Sequence, residues 1–240
     1  MIKKILFPIS LFIHLIYANT IFVPDDFQNI QDAINASDNG DSIFVSPGVY
    51  FENLNFNGKL VILSSNYLLE NDSLLIGATI IDAQGSGSVV TFNNGENNNS
   101  VLQGFTLQNG AGNNEDPDGN GSFYTYGGGI YCENSNPVIR DCLIQNNTAD
   151  EGGGAGIFCF ESSPLFFGCS IVDNETDDVG GGLYARDGSS PAFYNCIFND
   201  NTAEFGGGCY LKSSSSPFME NVIFSQNTAN NSGGAVGLKD

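Results

Sequence analysis

Basic residues are scarce. The 240-residue chain has 7 Lys or Arg against 27 Asp or Glu, a formal net charge of −20. A nucleic-acid protein is excluded, because phosphate binding runs on clustered Lys and Arg. The same imbalance argues against wrapping a polyanionic polysaccharide over the whole surface. Histidine occurs once, at His14. It falls inside a targeting segment, so the mature chain has none, and Ser-His or Cys-His nucleophile chemistry is excluded. Tryptophan is absent, and Phe and Tyr carry all of the 12% aromatic content. No CxxC spacing supports a cysteine metal site. Past residue 18 no apolar run is long enough to cross a membrane as a helix, so no span is expected in the mature chain. Charged residues are 14% of the chain, well below the usual share of about 25%. What remains is 41% hydrophobic, enough to bury a core, with 30 Gly and abundant Asn and Ser. That is the profile of a secreted, turn-rich β protein.

Residues 1–18 read as a secretory signal. Met1-Ile2-Lys3-Lys4 is basic, Ile5 to Ile16 is apolar, and Ala18 offers a small residue for cleavage. A secreted or cell-surface location follows. Residues 19–41 read as an amino-terminal cap. Asp25 and Gln28 have capping-box spacing, and Phe27, Ile30, Ala33 and Ile34 share one face of a helix expected over 25–37. From residue 42 to 240 the pattern is short apolar runs bounded by Gly, Asn or Ser, which is strand and turn chemistry.

An internal repeat organises that region. Gly127-Gly128-Gly129-Ile130-Tyr131-Cys132 recurs from Gly154, Gly180, Gly206 and Gly233, at steps of 27, 26, 26 and 27 residues. A second phrase starts at Pro137, Pro164, Pro191 and Pro217, and each copy leads to an Asn at Asn147, Asn174, Asn201 or Asn227. One copy is too short to bury its own apolar face, so copies must stack as a parallel β-solenoid. Alignment then gives apolar columns: Ile139, Phe166, Phe193 and Met219; Cys142, Cys169, Cys196 and Val222; Ile144, Ile171, Phe198 and Phe224; Ile130, Ile157, Leu183, Cys209 and Val236; and Cys132, Cys159, Ala185, Leu211 and Leu238. The cysteines share columns with Ile, Leu, Val and Ala, which makes them small buried hydrophobes. Disulfides between neighbouring coils are the alternative. The Asn series is expected to form a hydrogen-bonded ladder.

On these residues the chain resembles the right-handed parallel β-helix proteins of the pectin-lyase-like fold. Thr20-Ile21-Phe22-Val23-Pro24, leading into the cap helix, is similar to their usual start. Gly233-Gly234-Ala235-Val236, Phe198-Asn199-Asp200-Asn201 and Phe224-Ser225-Gln226-Asn227 resemble the GGA(I/L/V) and FxxN repeats of chlamydial polymorphic membrane proteins. The resemblance implies an all-β, right-handed parallel β-helix solenoid with a short amino-terminal cap helix. It also raises the expectation of a carboxy-terminal truncation, since the sequence stops at Lys239-Asp240 in mid-repeat.

Several constellations are candidates for chemistry. Tyr131, Phe158, Tyr184 and Tyr210 form a column expected to face solvent, a platform for sugar rings or a stabilising ladder. Glu133, Phe160, Arg186, Lys212 and Lys239 run beside it, and Arg186 and Lys212 could hold an anionic substituent. A second outward column holds Arg140, Phe167, Tyr194 and Glu220. Asp173 and Asp200 share a slot in adjacent coils, as do Asp150, Asp177 and Glu204. Such pairs suit solvated surface, a cation, or an acid–base pair. Asp116, Asp118 and Asn120 stand at positions 1, 3 and 5 of an EF-hand-like loop, so Ca2+ is the one cofactor considered. The leading function is a non-catalytic, adhesin-like β-helix that binds a polysaccharide or cell-surface partner. A polysaccharide lyase, hydrolase or esterase of the same fold is the second reading, and a structural stalk the third.

Overall fold

Each repeat makes one coil of three short strands. In one coil these are Ile130–Glu133, Val138–Arg140 and Leu143–Gln145, and the next resumes at Ile157–Phe160. Strands of successive coils pair in parallel and in register, with Ile130 beside Ile157, Ile139 beside Phe166 and Ile144 beside Ile171. Three sheets result, taken here in chain order along a coil as sheets one, two and three, with seven, eight and seven strands. The computed structural model describes residues 18–70, 72–117 and 119–239. The secretory signal expected over residues 1–18 lies outside them apart from Ala18, as does Asp118.

The predicted columns form the core. Ile139, Phe166, Phe193, Ile144, Ile171, Phe198, Ile130, Ile157, Leu183, Cys132, Cys159 and Cys209 are all fully buried. Each large apolar side chain so placed contributes roughly 1.5–3 kcal/mol. Phe166 stacks on Phe193 at 4.6 Å and 8°, and Phe198 on Phe224 at 5.0 Å and 10°. All six cysteines are buried free thiols. In the last coil the columns emerge, with Val236 and Leu238 exposed.

Polar ladders hold the corners. The Asn147 Nδ2 donates to Asn174 Oδ1 at 2.9 Å, Asn174 to Asn201 at 2.9 Å, and Asn201 to Asn227 at 2.9 Å. The same Nδ2 groups also donate to the carbonyls of Leu107, Ile144 and Ile171 in the preceding coils. Ser135, Ser162 and Ser189 make a parallel hydroxyl ladder. Its first hydroxyl donates to the buried Glu96 carboxylate at 2.8 Å. The glycine triplets answer to two geometric demands. Gly127, Gly154, Gly180, Gly206 and Gly233 have φ between 66° and 80°, which opens the turn into sheet one. The third glycine makes room for the ladder: a Cβ on Gly129 would lie 2.5 Å from the Gly156 oxygen and 3.0 Å from Asn147 Nδ2.

Two local expectations are corrected. Helix α1 is Ile30–Ala36, shorter than 25–37, with Asn29 at its N-cap and no side-chain cap from Asp25. Glu52 instead accepts the Ile30 and Gln31 amides at 2.8 and 2.9 Å, so a carboxylate from the first coil replaces the local capping box. The apolar face of α1 is as read, with Ile30, Ala33 and Ile34 buried. Two further short helices, α2 (Tyr67–Glu70) and α3 (Leu74–Ala78), interrupt the strand region. An antiparallel hairpin, Asn113–Glu115 with Tyr124–Tyr126, enlarges one coil.

Candidate ligand-binding groove

The outer face of sheet two carries an apolar strip. Ile62, Val101, Val138, Leu165, Ala192 and Phe218 stand in register along it, one per coil. Five steps of about 4.8 Å give it a length of about 24 Å. These are outward positions, which on a solvated sheet are ordinarily polar. Ile62, Val101 and Leu165 are partly exposed and Phe218 is exposed, while Val138 and Ala192 are buried and interrupt the open surface. The strip deepens at its amino-terminal end into a cavity of about 410 Å³ lined by Asn39, Gly40, Asp41, Leu60, Ile62, Asn98, Asn99 and Val101. Exposed Asn98, Asn99, Asn136, Ser163 and Ser190 form one rim. That rim is itself a ladder: the Ser163 amide donates to Asn136 Oδ1 at 2.6 Å and the Ser190 amide to Ser163 Oγ at 3.1 Å. Sequence reasoning did not assign this strip, although its signal is in the sequence: an apolar residue stands two positions before each of Arg140, Phe167, Tyr194 and Glu220.

The other rim is the second outward column. Gln103, Arg140, Phe167, Tyr194 and Glu220 follow one another in register. The Arg140 guanidinium lies 4.3 Å from the Phe167 ring centre, and Phe167 stacks on Tyr194 at 4.9 Å and 9°. Both faces of Phe167 are thereby occupied, so its edge is what a ligand meets. Asp141, beside Arg140, occupies a corner with φ 48°. Its neighbour in the next coil is Gly168, where a Cβ would lie 2.5 Å from Asp141 Oδ1. Burial raises the Asp141 carboxyl above the usual range, opposed by the Arg140 charge and a hydrogen bond from Tyr67. The Asp141 charge in turn pushes the Tyr67 phenol up.

The first aromatic column does not face solvent. Tyr131 and Phe158 are fully buried, and Tyr184 and Tyr210 are 4% and 8% exposed. The segment joining sheet three to the next coil folds back over them, and strands Thr202–Phe205 and Thr228–Ser232 of that layer pair outside sheet one. Tyr126, Tyr131, Phe158, Val179, Tyr184 and Tyr210 thus form a second core. Tyr126 stacks on Phe158 at 4.6 Å, and Phe158 meets Tyr184 at 5.4 Å. The glycine triplets leave no opening beside this column, since neighbouring backbone fills the space. Arg186 is 5% exposed, is ion-paired with Asp187, and lies 5.5 Å from the Phe160 ring centre. It is buried instead of lining an open edge. Lys212 is partly exposed and in register with Lys239 in the next coil. Together with Lys239 it opposes the rise that burial and Asp177 impose on the Asp178 carboxyl.

Asp173 and Asp200 are exposed and share a corner with φ 54° and 53°. Asn146 and Gln226 occupy the same corner in flanking coils with φ 52° and 56°. The left-handed backbone accounts for Asp and Asn at three of these four positions. In the loop from residue 116, the Asp116 oxygens accept the Asn120 and Gly121 amides at 3.1 and 2.6 Å, while Asn120 Oδ1 accepts the Ser122 amide at 2.8 Å. Asp118 lies outside the described residues. Among the described residues no group of three or more His, Cys, Asp or Glu side chains is placed to hold a metal ion, and no helix is long and apolar enough to cross a membrane.

Comparison with known proteins points the same way for the fold. Residues 118–239 match the family described as right-handed beta helix region. A pectin methylesterase solved in complex with a hexasaccharide is similar at TM-score 0.55 and 12% identity, covering 89% of this chain and 67% of that one. Pectin methylesterase PemA from Erwinia chrysanthemi is similar at TM-score 0.54 and 13% identity, covering 88% of this chain and 66% of that one. The chain thus spans about two thirds of the length of these structures. No curated protein sequence matches.

Proposed function

The chain belongs to the right-handed β-helix family, and from that premise we propose that it is a secreted or surface-displayed protein that binds polysaccharide without catalysis. The observation that carries this reading is the partly exposed apolar strip of Ile62, Val101 and Leu165 on sheet two, between the Asn and Ser rim and the Arg140 column. Sugar rings offer C–H faces to an apolar floor and hydroxyls to carboxamides, which are the groups found at Ile62, Val101, Asn39, Asn98 and Asn99. The likeness to a pectin methylesterase solved with a hexasaccharide supports polysaccharide as the ligand class. Titration calorimetry against a panel of plant and microbial polysaccharides tests the reading. V101D combined with N98A should abolish whatever binding the parent shows, with the thermal midpoint retained. Unchanged binding by the folded double variant would remove the groove from consideration, and no binding by the parent to any polysaccharide would leave the stalk reading.

A second reading, an esterase or hydrolase, rests on Asp141. Its carboxyl is raised by burial and flanked by Arg140 and Tyr67 at the groove edge. Release of methanol or reducing ends by the parent, abolished in D141N, would favour this reading over the first.

A further inference from the structure

We infer that the groove selects an uncharged or esterified polysaccharide over the corresponding free uronate polymer; this rests on the polysaccharide reading above. The cavity at the head of the strip has three carboxamides, Asn39, Asn98 and Asn99, over an apolar floor of Leu60, Ile62 and Val101. Its lining contains no ammonium or guanidinium group. The one charge in its wall is Asp41, a buried carboxylate whose oxygens accept the Asn19 and Asp38 amides at 2.7 and 2.9 Å. Lys59, next in sequence to Leu60, is turned away, with its Nζ donating to the Ser37 carbonyl at 2.6 Å.

Farther along the strip the balance is the same. Arg140 lies over the Phe167 ring and is followed by Asp141, whose ionised form its charge favours. Glu220 adds another carboxylate at the far end of that rim. A polymer with a carboxylate on each sugar would meet Asp41, Asp141 and Glu220 with only Arg140 to offset them, on a chain of net charge −20. Converting each carboxylate to a methyl ester removes the repulsion. It also supplies a methyl group for the apolar floor and a carbonyl oxygen for the Asn amides.

The test uses one polymer in two charge states: a fully methyl-esterified galacturonan and the same material after saponification, titrated into the full chain at low salt. The esterified form should bind about tenfold or more tighter, and the gap should narrow as salt is raised and the charges are screened. If both forms bind equally, if the acidic form binds tighter, or if the gap ignores salt, this inference is overturned while the polysaccharide reading stands. If neither form binds, and no other polysaccharide does, the polysaccharide reading fails and this inference falls with it.

Discussion

Asn174 sits between Asn147 and Asn201 and is bonded to both: its Oδ1 accepts Asn147 Nδ2 at 2.9 Å while its own Nδ2 donates to Asn201 Oδ1 at 2.9 Å. The Asn147 backbone amide donates a second bond to the same oxygen at 3.1 Å. All three side chains are fully buried. Removing the middle member therefore strands polar groups above and below it.

Asn174→Ala should destabilise the chain by about 2–4 kcal/mol, since an unmet buried donor or acceptor costs about 1–3 kcal/mol each. Asn227→Ala, in a partly exposed ladder position, should cost less. Urea unfolding of the two variants gives the comparison; equal effects would contradict a cooperative buried ladder.

Phe158→Ala should destabilise by about 3–5 kcal/mol, because it empties the middle of the second core between Tyr131, Tyr126 and Tyr184. Had the column been an open platform, the loss would fall on ligand binding with little change in stability. Measuring thermal midpoint and polysaccharide affinity on one sample separates the two.

Two aspartates should move stability in opposite directions with pH. Burial disfavours ionised Asp82, but hydrogen bonds from Gln108, Gln84 and Asn109 outweigh it and lower its carboxyl. Its contribution is present above the ordinary Asp value of about 3.9 and is lost as pH falls through the lower folded value. Asp141 is raised, mainly by burial, so its folded form prefers the proton and its ionised form destabilises as pH rises. Asp141→Asn should thus gain stability at neutral pH and lose that advantage in acid, whereas Asp82→Asn should lose stability at neutral pH and converge on the parent in acid. Unfolding curves from pH 3 to pH 7 would show the two trends; parallel trends would refute the assignment.

Thiol labelling addresses the cysteine columns. Burial holds the Cys132, Cys159, Cys169 and Cys209 thiols up, and Cys142 is pushed up to about 12. Hydrogen bonding from Cys169 lowers Cys196, yet that side chain is fully buried as well. The native protein should leave a thiol reagent unreacted, and denaturation should release six thiols. Fast native labelling at any of them would place that residue outside the core.

The repeat made the stacking legible. A fixed period with apolar residues at fixed offsets determines which residues superpose, and Ile139, Phe166 and Phe193 do. What the period did not reveal is a layer outside the first one. Tyr131 alternates outward from Cys132 and Ile130 in the strand, and alternation alone assigns it to solvent. Its burial depends on the segment after Asn147 crossing back over sheet one, a tertiary fact with no local signature. The same limit hid the Glu52 cap of α1, which is 22 residues away along the chain from Ile30. The groove is written in the alternation: Ile62, Val101 and Leu165 are apolar at outward positions that a solvated strand would fill with polar residues, but alternation does not tell which outward positions a neighbouring segment covers, and Val138 and Ala192 are buried.

The hairpin between Asn113 and Tyr126 also bears on how the solenoid tolerates added chain. It stretches the contact between Gly110 and Asn147 to a separation of 37 residues, against 27 between Asn147 and Asn174. Loop-closure entropy rises only with the logarithm of length, so the longer coil costs about 0.3 kcal/mol more to close. The strands on either side keep their register, Leu107 with Ile144 and Val90 with Ile130. Ten extra residues have therefore been absorbed with almost no thermodynamic trace, and the corner after sheet three is a place where new segments can be grafted while the stack beneath continues unchanged.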